Sequence, residues 1–324
     1  MPSLKSLMRL ALGAALAAAG PAAAQGFVPN RPVRMIIPVP VGSAPDLLSR
    51  VIGQGFQAKW GQPAIVDPKP GGAQNIAAEQ LSRAEPDGYT LMTAPPPSLS
   101  INEHLFPKLA FDPSAFVPVT ILVEVPNVLV VRMGLEAKSL AEIAALAKAK
   151  PGSLNYGTPG VGSTSHLTSE AFNFRAGVKT THVPYKGTVE VLNDMLGERI
   201  DFAFLNLLDV INHVEAGKLR ALAVGGQAGS PSLPGVQTLD SLFPGFISTT
   251  WFGTVAPPKT PEPVVNAIRD AIKEAFETPE ARRLLGNLKG ATPVLNTPAQ
   301  AKIYIRADSE TWKDVIVKNG IKAE

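Results

Sequence analysis

Short apolar runs along the chain alternate with longer segments in which apolar residues recur at helical spacing. The first run, at 33–37, precedes a turn at Gly42 and Ser43 and a helical pattern over 47–60. Alternation of buried strands with helices is typical of a parallel sheet that is covered on both faces. The same reasoning predicts further strands at 64–66, 89–93, 154–156, 181–183, 200–204 and 219–224, and further helices at 75–84, at 140–149, from about 164, and from 263 to the end.

Two β-rich segments, at 117–131 and near 250–255, interrupt this alternation. The chain has 324 residues, which is longer than most single cores, so two domains are expected. We predict an α/β protein of two lobes between which the chain crosses twice. Lobe 1 would comprise 27–124 and 248–324, and lobe 2 would comprise 125–247.

Each predicted lobe has a glycine-containing turn between a strand and a helix. In the first lobe Pro45 suits the first helical turn, and Asp46 follows where the helix dipole favours a carboxylate. The glycine-rich segment 157–163 repeats this arrangement in the second lobe. Such turns leave backbone N–H groups at the carboxyl edge of a sheet, where α/β proteins bind anions. An ordinary strand-to-helix connection without a ligand is the alternative.

The first 24 residues differ in composition from the rest. Lys5 and Arg9 precede an alanine-rich apolar run, and small residues follow at 22–24, which predicts a secretory signal peptide cleaved near Gln25. The run is shorter than the roughly 20 residues that span a membrane. Without this segment 28 of the 30 basic residues remain against 27 acidic ones, so charge indicates no nucleic-acid partner. The chain has no cysteine, which excludes disulfides and thiolate chemistry.

Ser163 and His166 could act as nucleophile and base, because they would share a face at the start of a helix. No G-x-S-x-G motif accompanies them, so we favour a helix cap at Ser163. The four histidines lack metal-ligand spacing, and the glycines at 157–162 lack the spacing of a dinucleotide fingerprint. We therefore expect no metal, no cofactor and no catalytic residue.

Several motifs occur in a characteristic order. They lie at 34–50, 70–72 (Pro-Gly-Gly), 86–91 (Pro-Asp-Gly-Tyr-Thr-Leu), 111–113, 155–167, 182–187, 216–224 and 251–257. In this order the chain resembles the extracytoplasmic receptors of tripartite tricarboxylate transporters, the Bug-type or TctC-like solute-binding proteins. The resemblance runs from about residue 32 to the C-terminus. It implies a type II periplasmic binding protein fold, in which two α/β lobes close on a ligand.

The resemblance also implies which residues hold the ligand, a small organic carboxylate. The first wall would be Val39, Gly42, Ser43 and Asp46, the second Gly162, Ser163, Thr164 and His166, and two further loops would supply Ser98 and Asn206. The chain departs from the family's pattern at 41–43 (Val-Gly-Ser), at the prolines 95–97, and at Leu205, where an acid is usual. Because proline has no N–H, we expect a pocket poor in donors. It would favour a monocarboxylate, or a carboxylate with an apolar body, over a dicarboxylic amino acid.

The implied role is that of a monomeric periplasmic receptor that delivers its ligand to the membrane permease subunits of such a transporter. Two alternatives from other classes stay open. One is a serine-type hydrolase that uses Ser163 and His166. The other is a ligand sensor that docks on a signalling partner, which the sequence does not separate from transport because both would use the same two-lobed clamp.

Overall fold

The computed structural model describes residues 27–287 and 290–322, so the predicted signal peptide lies outside the described residues. The strands are β1 (Val33–Ile37), β2 (Ala64–Pro68), β3 (Thr90–Ala94), β4 (Val117–Arg132), β5 (Asn155–Thr158), β6 (Thr181–Pro184), β7 (Phe202–Asn206), β8 (Leu219–Val224), β9 (Thr249–Ala256) and β10 (Thr292–Pro293). The helices are α1 (Ala44–Trp60), α2 (Asn75–Ser82), α3 (Asn102–Leu105), α4 (Leu140–Ala149), α5 (Thr164–Ala176), α6 (Thr188–Leu196), α7 (Leu207–Glu215), α8 (Leu239–Leu242), α9 (Glu262–Glu277), α10 (Pro279–Asn287) and α11 (Pro298–Asn319). None of these helices is long and apolar enough to cross a membrane.

The strands form one sheet in the order β2-β1-β3-β9-β4-β7-β5-β6, and β8 and β10 also pair with β4. Strand β4 is shared by two halves of this sheet. Up to Pro126 it pairs with β9, and from Asn127 onward it pairs with β7 and β8. We call β1, β2, β3, β9 and β10 the first half and β5 to β8 the second half. The predicted α/β class is confirmed, and the lobe boundaries stay a prediction.

Helices cover both faces of the sheet because each strand presents apolar side chains alternately to the two sides. On one face a single core joins α1 and α9 of the first half to α6 and α7 of the second. On the other face α2 and the start of α11 pack on the first half, and α4 and α5 pack on the second. The turns that lead into α1 and α5 therefore begin at the same sheet but lead to opposite faces.

Helix α11 contacts both halves. In its first part the Tyr304 hydroxyl donates to Glu124 of β4 at 3.0 Å. In its last part it packs against Leu167 of α5. This contact belongs to a separate small core of Ile101, Leu105, Leu167, Trp312 and Ile316. The second-half helix α5 is thus held directly against elements that follow β3 and against α11.

The segment after β3, predicted as a loop that supplies Ser98, is helical. It forms a π-helical turn over Pro97–Ile101 that continues into α3. The Pro96 carbonyl accepts hydrogen bonds from the Leu99 and Ser100 amides. Proline is tolerated in a first helical turn, where its missing N–H would have no partner. These prolines therefore start a helix, in addition to lowering the number of N–H donors near Ser98.

Candidate functional site

Residues 38–43, the Gly42 turn, connect β1 to α1. Gly42 has a φ of +86°, and its N–H donates to Asp46 Oδ2 at 2.9 Å. Asp46 is buried, and its Oδ1 lies 3.1 Å from Arg50 Nε. The Ser43 hydroxyl donates to the Pro40 carbonyl at 2.7 Å and does not cap the helix. The Asp46 carboxylate therefore stabilises the turn and already occupies the positive end of α1.

Residues 159–163, the Gly162 turn, connect β5 to α5, and here too a glycine with positive φ donates its N–H to the side chain four residues later. Gly162 has a φ of +79°, and its N–H donates to His166 Nδ1 at 3.3 Å. Ser163 Oγ accepts from the His166 amide at 3.2 Å and donates to the Gly160 carbonyl at 2.7 Å. The predicted cap at Ser163 is confirmed. Because the Ser163 proton goes to a carbonyl and His166 Nδ1 accepts from an amide, this arrangement does not form a nucleophile–base pair.

A stack of rings lies behind the Gly162 turn. The His166 and His182 rings stack with centroids 4.3 Å apart, and Tyr156 stacks on His182 at 4.8 Å. Burial, reinforced by the neighbouring His182, lowers the pKa of His166 to about 3, and burial lowers the pKa of His182 to about 4. Both imidazoles are therefore neutral near pH 7, which suits the acceptor role of His166 Nδ1. This pair could not be predicted from the sequence, because the two histidines lie on different elements.

The first turn of α5 keeps backbone donors free. Within the described chain no acceptor engages the N–H groups of Thr164 and Ser165, and the first turn of α5 contains no acidic residue. In α1 the corresponding turn contains Pro45, which has no N–H, and the buried carboxylate of Asp46. Of the two turns, the one at α5 therefore offers an anion the more favourable potential and more than one donor.

Three other predicted site residues have side chains in distinct surroundings. Ser98 is wholly buried in the π-helical turn, and its Oγ has no partner among the described residues. Asn206 ends β7, and its buried Oδ1 has no partner among the described residues. Burial raises the pKa of Asp209, in the helix that follows, to about 6. Thr164 Oγ1 hydrogen-bonds to Thr250 Oγ1 of β9. This bond ties the Thr164 side chain to β9 and leaves its backbone N–H without a partner in the described chain.

The structure brings the Gly162 turn against α3, the helix that follows β3 of the first half. A Cβ on Gly162 would lie 2.8 Å from Leu105 Cδ1 and 3.4 Å from Asn102 Oδ1. Val39, predicted for the opposite wall, is half-buried, and no hydrogen bond between described residues joins the two turns. Two surface cavities of about 630 and 460 Å³ lie elsewhere, one between α9 and α11 and one beside Glu124. A shared binding cleft therefore stays a prediction.

The expectation that Leu205 makes the ligand pocket more apolar is wrong. Leu205 is wholly buried in the core that α7 covers. Successive side chains of β7 point to opposite faces of the sheet, and Leu205 points to the face on which α7 packs. It cannot make a ligand pocket more apolar. Asp201, which directly precedes β7, accepts from Arg132 Nε at 3.0 Å and from the Asn155 amide at 2.8 Å. It ties β4, β5 and the start of β7 together.

No cluster of three or more histidine or acidic side chains in the described part of the chain could hold a metal ion. The strand order, the shared strand β4 and the helix-starting turn in each half of the sheet define a solute-binding protein of the periplasmic class. Residues 48–321 match the family described as "Tripartite tricarboxylate transporter family receptor" (TctC). The chain belongs to this family.

Named relatives agree with this assignment. Protein BugT of Bordetella pertussis is 32% identical over 307 residues, which cover 94% of each chain. A solved structure of a Rhodopseudomonas palustris protein with adipate has a TM-score of 0.85 at 30% identity and covers 91% of this chain and 99% of that one. MatC from Rhodopseudomonas palustris with bound malate has a TM-score of 0.82 at 29% identity, covering 89% and 99%.

Proposed function

We propose that this protein captures a small organic carboxylate in a cleft between its two lobes and delivers it to the permease subunits of a tripartite tricarboxylate transporter. Family membership supports the transport role, and two similar proteins were solved with carboxylates, adipate and malate. The proposed lobes are 27–124 with 248–324, and 125–247. A signal peptide at 1–24 would export the chain, and the receptor would work as a monomer.

The first turn of α5 carries the proposal. The Thr164 and Ser165 amides have no acceptor within the described chain, and Ser163 and His166 fix the turn around them. A carboxylate that accepts from two backbone amides at a helix N-terminus gains charge-assisted hydrogen bonds and a favourable dipole. Because His166 is neutral near pH 7, it needs no counter-charge, and the backbone amides are the groups that attract the anion.

The opposite wall is proposed to face the less charged part of the ligand. The Asp46 carboxylate already lies at the start of α1, so a second carboxylate there would meet a like charge. Val39 and Ser43 would contribute an apolar surface and a hydroxyl, and Ser98 and Asn206 would line the edges. Ligands with one carboxylate and an apolar body are therefore favoured. Adipate and malate, the ligands of the two similar structures, each carry two carboxylates and so test this preference directly.

A ligand panel tests this function. Thermal shift and calorimetry would compare monocarboxylates, adipate, malate, aspartate and glutamate. A ligand at one hundred times its Kd should add about 2.7 kcal/mol of stability. We expect a carboxylate to bind and to be recovered unchanged. Stabilisation by aspartate or glutamate alone would contradict the proposed preference, and reproducible turnover abolished by Ser163→Ala would favour a hydrolase.

A matched pair of variants tests the seat itself. Ser165→Pro removes one free N–H at the same helical position that Pro45 occupies in α1, so the helix can form. Ser165→Ala keeps the N–H and serves as the control. We expect Ser165→Pro to weaken carboxylate binding at least tenfold and Ser165→Ala to leave it within about twofold, in line with the strength of charged hydrogen bonds. Equal affinity of both variants would show that the ligand lies elsewhere.

A further inference from the structure

A chain of buried side-chain hydrogen bonds leads from the crossing strands into the first turn of α5. Asn127 Nδ2 of β4 donates to Ser248 Oγ at 2.8 Å, just before β9. Ser248 Oγ hydrogen-bonds to Thr168 Oγ1, and Thr168 Oγ1 donates to the Thr164 carbonyl at 2.6 Å. All four residues are at most 6% exposed. Water therefore does not compete with these bonds, and the low local dielectric strengthens them.

The direction of the protons in this chain is determined. The Asn127 amide nitrogen can only donate, and the Thr168 proton is committed to a carbonyl oxygen, which can only accept. Ser248 must therefore accept from Asn127 and donate to Thr168. Each donation polarises the next bond in such a chain. The chain ends at the Thr164 carbonyl, which belongs to the same peptide group as the Ser165 N–H.

We propose that Ser248 and Thr168 are positioning residues of the ligand seat, which hold and polarise the Thr164–Ser165 peptide from the two crossing segments. This inference rests on the proposed function of that turn. The hydrogen bond between Thr164 Oγ1 and Thr250 Oγ1 fixes the same turn to β9 a second time. Because Asn127 and Ser248 lie where the chain passes between the halves, a ligand on the seat and the angle between the halves depend on each other.

Substitutions of two buried threonines whose hydroxyls donate to residues of α5 test the inference. Thr168→Val removes the hydroxyl with little change of shape, and Thr168→Ser restores it. Thr180→Val is the matched control, because the Thr180 hydroxyl donates to Asn173 Oδ1 at the far end of α5, at 2.8 Å. Amide hydrogen exchange of the ligand-free protein at 163–168 should rise about tenfold in Thr168→Val and stay at the wild-type rate in the other two variants, as for the loss of one buried hydrogen bond.

Binding of the probes adipate and malate gives the second readout. In Thr168→Val the affinity for whichever probe binds should fall about tenfold, with recovery in Thr168→Ser. Unchanged exchange at 163–168 in Thr168→Val would overturn the inference. Equal effects of Thr180→Val would overturn it too, since they would indicate general loosening of α5. If no carboxylate binds the wild type, the proposed function fails, while the exchange comparison still decides whether the chain positions the turn.

Discussion

Alanine at Gly42 and at Gly162 tests how the two turns are packed. Both glycines have a left-handed φ, +86° and +79°, so alanine at either position costs about 1–2 kcal/mol of folding free energy. Their surroundings differ. A Cβ at Gly42 would have no atom within 4 Å, whereas a Cβ at Gly162 would lie 2.8 Å from Leu105 Cδ1. The backbone strain is thus shared, and the steric effect belongs to Gly162 alone.

The steric effect can be bounded. Overpacking a buried site costs typically about 1–3 kcal/mol, and the end of the Leu105 side chain can move, so the lower part of that range applies. We expect Gly42→Ala to lose about 1 kcal/mol and Gly162→Ala about 2–3 kcal/mol. Leu105→Ala alone should lose about 2–4 kcal/mol because Leu105 is 5% exposed. The double variant Gly162→Ala/Leu105→Ala should lose about 1 kcal/mol less than the sum of the two, since the removed side chain relieves the contact.

Urea unfolding followed by tryptophan fluorescence measures these differences. Trp312 lies in the same small core as Leu105, so its emission reports on this contact. Equal losses for the two glycine variants would refute the reasoning. So would strict additivity of Gly162→Ala and Leu105→Ala. Either result would mean that the Gly162 turn does not lie against the segment after β3 in solution.

Two further predictions use side chains near the same elements. Ser163→Ala should lose about 1 kcal/mol of folding free energy because Ser163 caps α5. Ser43→Ala should change it by less than about 0.5 kcal/mol because Ser43 makes no cap bond. Urea unfolding measures both losses, and equal values would contradict the assignment of the cap. Burial raises the pKa of Asp308 to about 6, so the folded state holds this proton more tightly than the unfolded state. The contribution of Asp308 to stability should therefore fall as the pH rises from about 4 to about 6 and stay lower above it. The buried His166 and His182, with pKa values lowered to about 3 and about 4, contribute in the opposite sense over this range. The Tm of the wild type relative to that of Asp308→Asn should therefore fall between about pH 4 and about pH 6. Asp209, with its pKa also raised to about 6, leaves a residual slope, and an unchanged slope in Asp308→Asn would contradict the prediction.

Local signals in the sequence were sufficient for several elements. Helix α4 has the predicted bounds, because Ser139 caps its start and Pro151 and Gly152 follow its end. The cap at Ser163 was also predictable, because a serine directly before a helical pattern is a preferred N-cap residue. The family followed from many short motifs in a fixed order, each weak by itself. These features depend on neighbours in the chain, which a sequence shows directly.

Contacts between distant segments could not be predicted in the same way. The stack of His166 on His182 and the chain from Asn127 through Ser248 depend on which strands become neighbours. The orientation of Leu205 was misjudged because β7 is apolar on both faces, so its alternation carries no visible sign of which side faces the core. The first-half strand β9 arrives late in the chain, and nothing local indicates that Thr250 will meet Thr164.

Helix α11 has a consequence for how the chain is made. The first half of the sheet begins at β1 but lacks its β9 strand and its covering helix α9 until the last part of the polypeptide exists. The small core that holds Leu167 of α5 is complete only when Trp312 and Ile316 of α11 have been made. We therefore expect an emerging N-terminal portion to lack a complete core until these last elements are made. If the chain is exported through a translocation channel as proposed above, this order of elements keeps it unfolded for longer before it crosses the membrane.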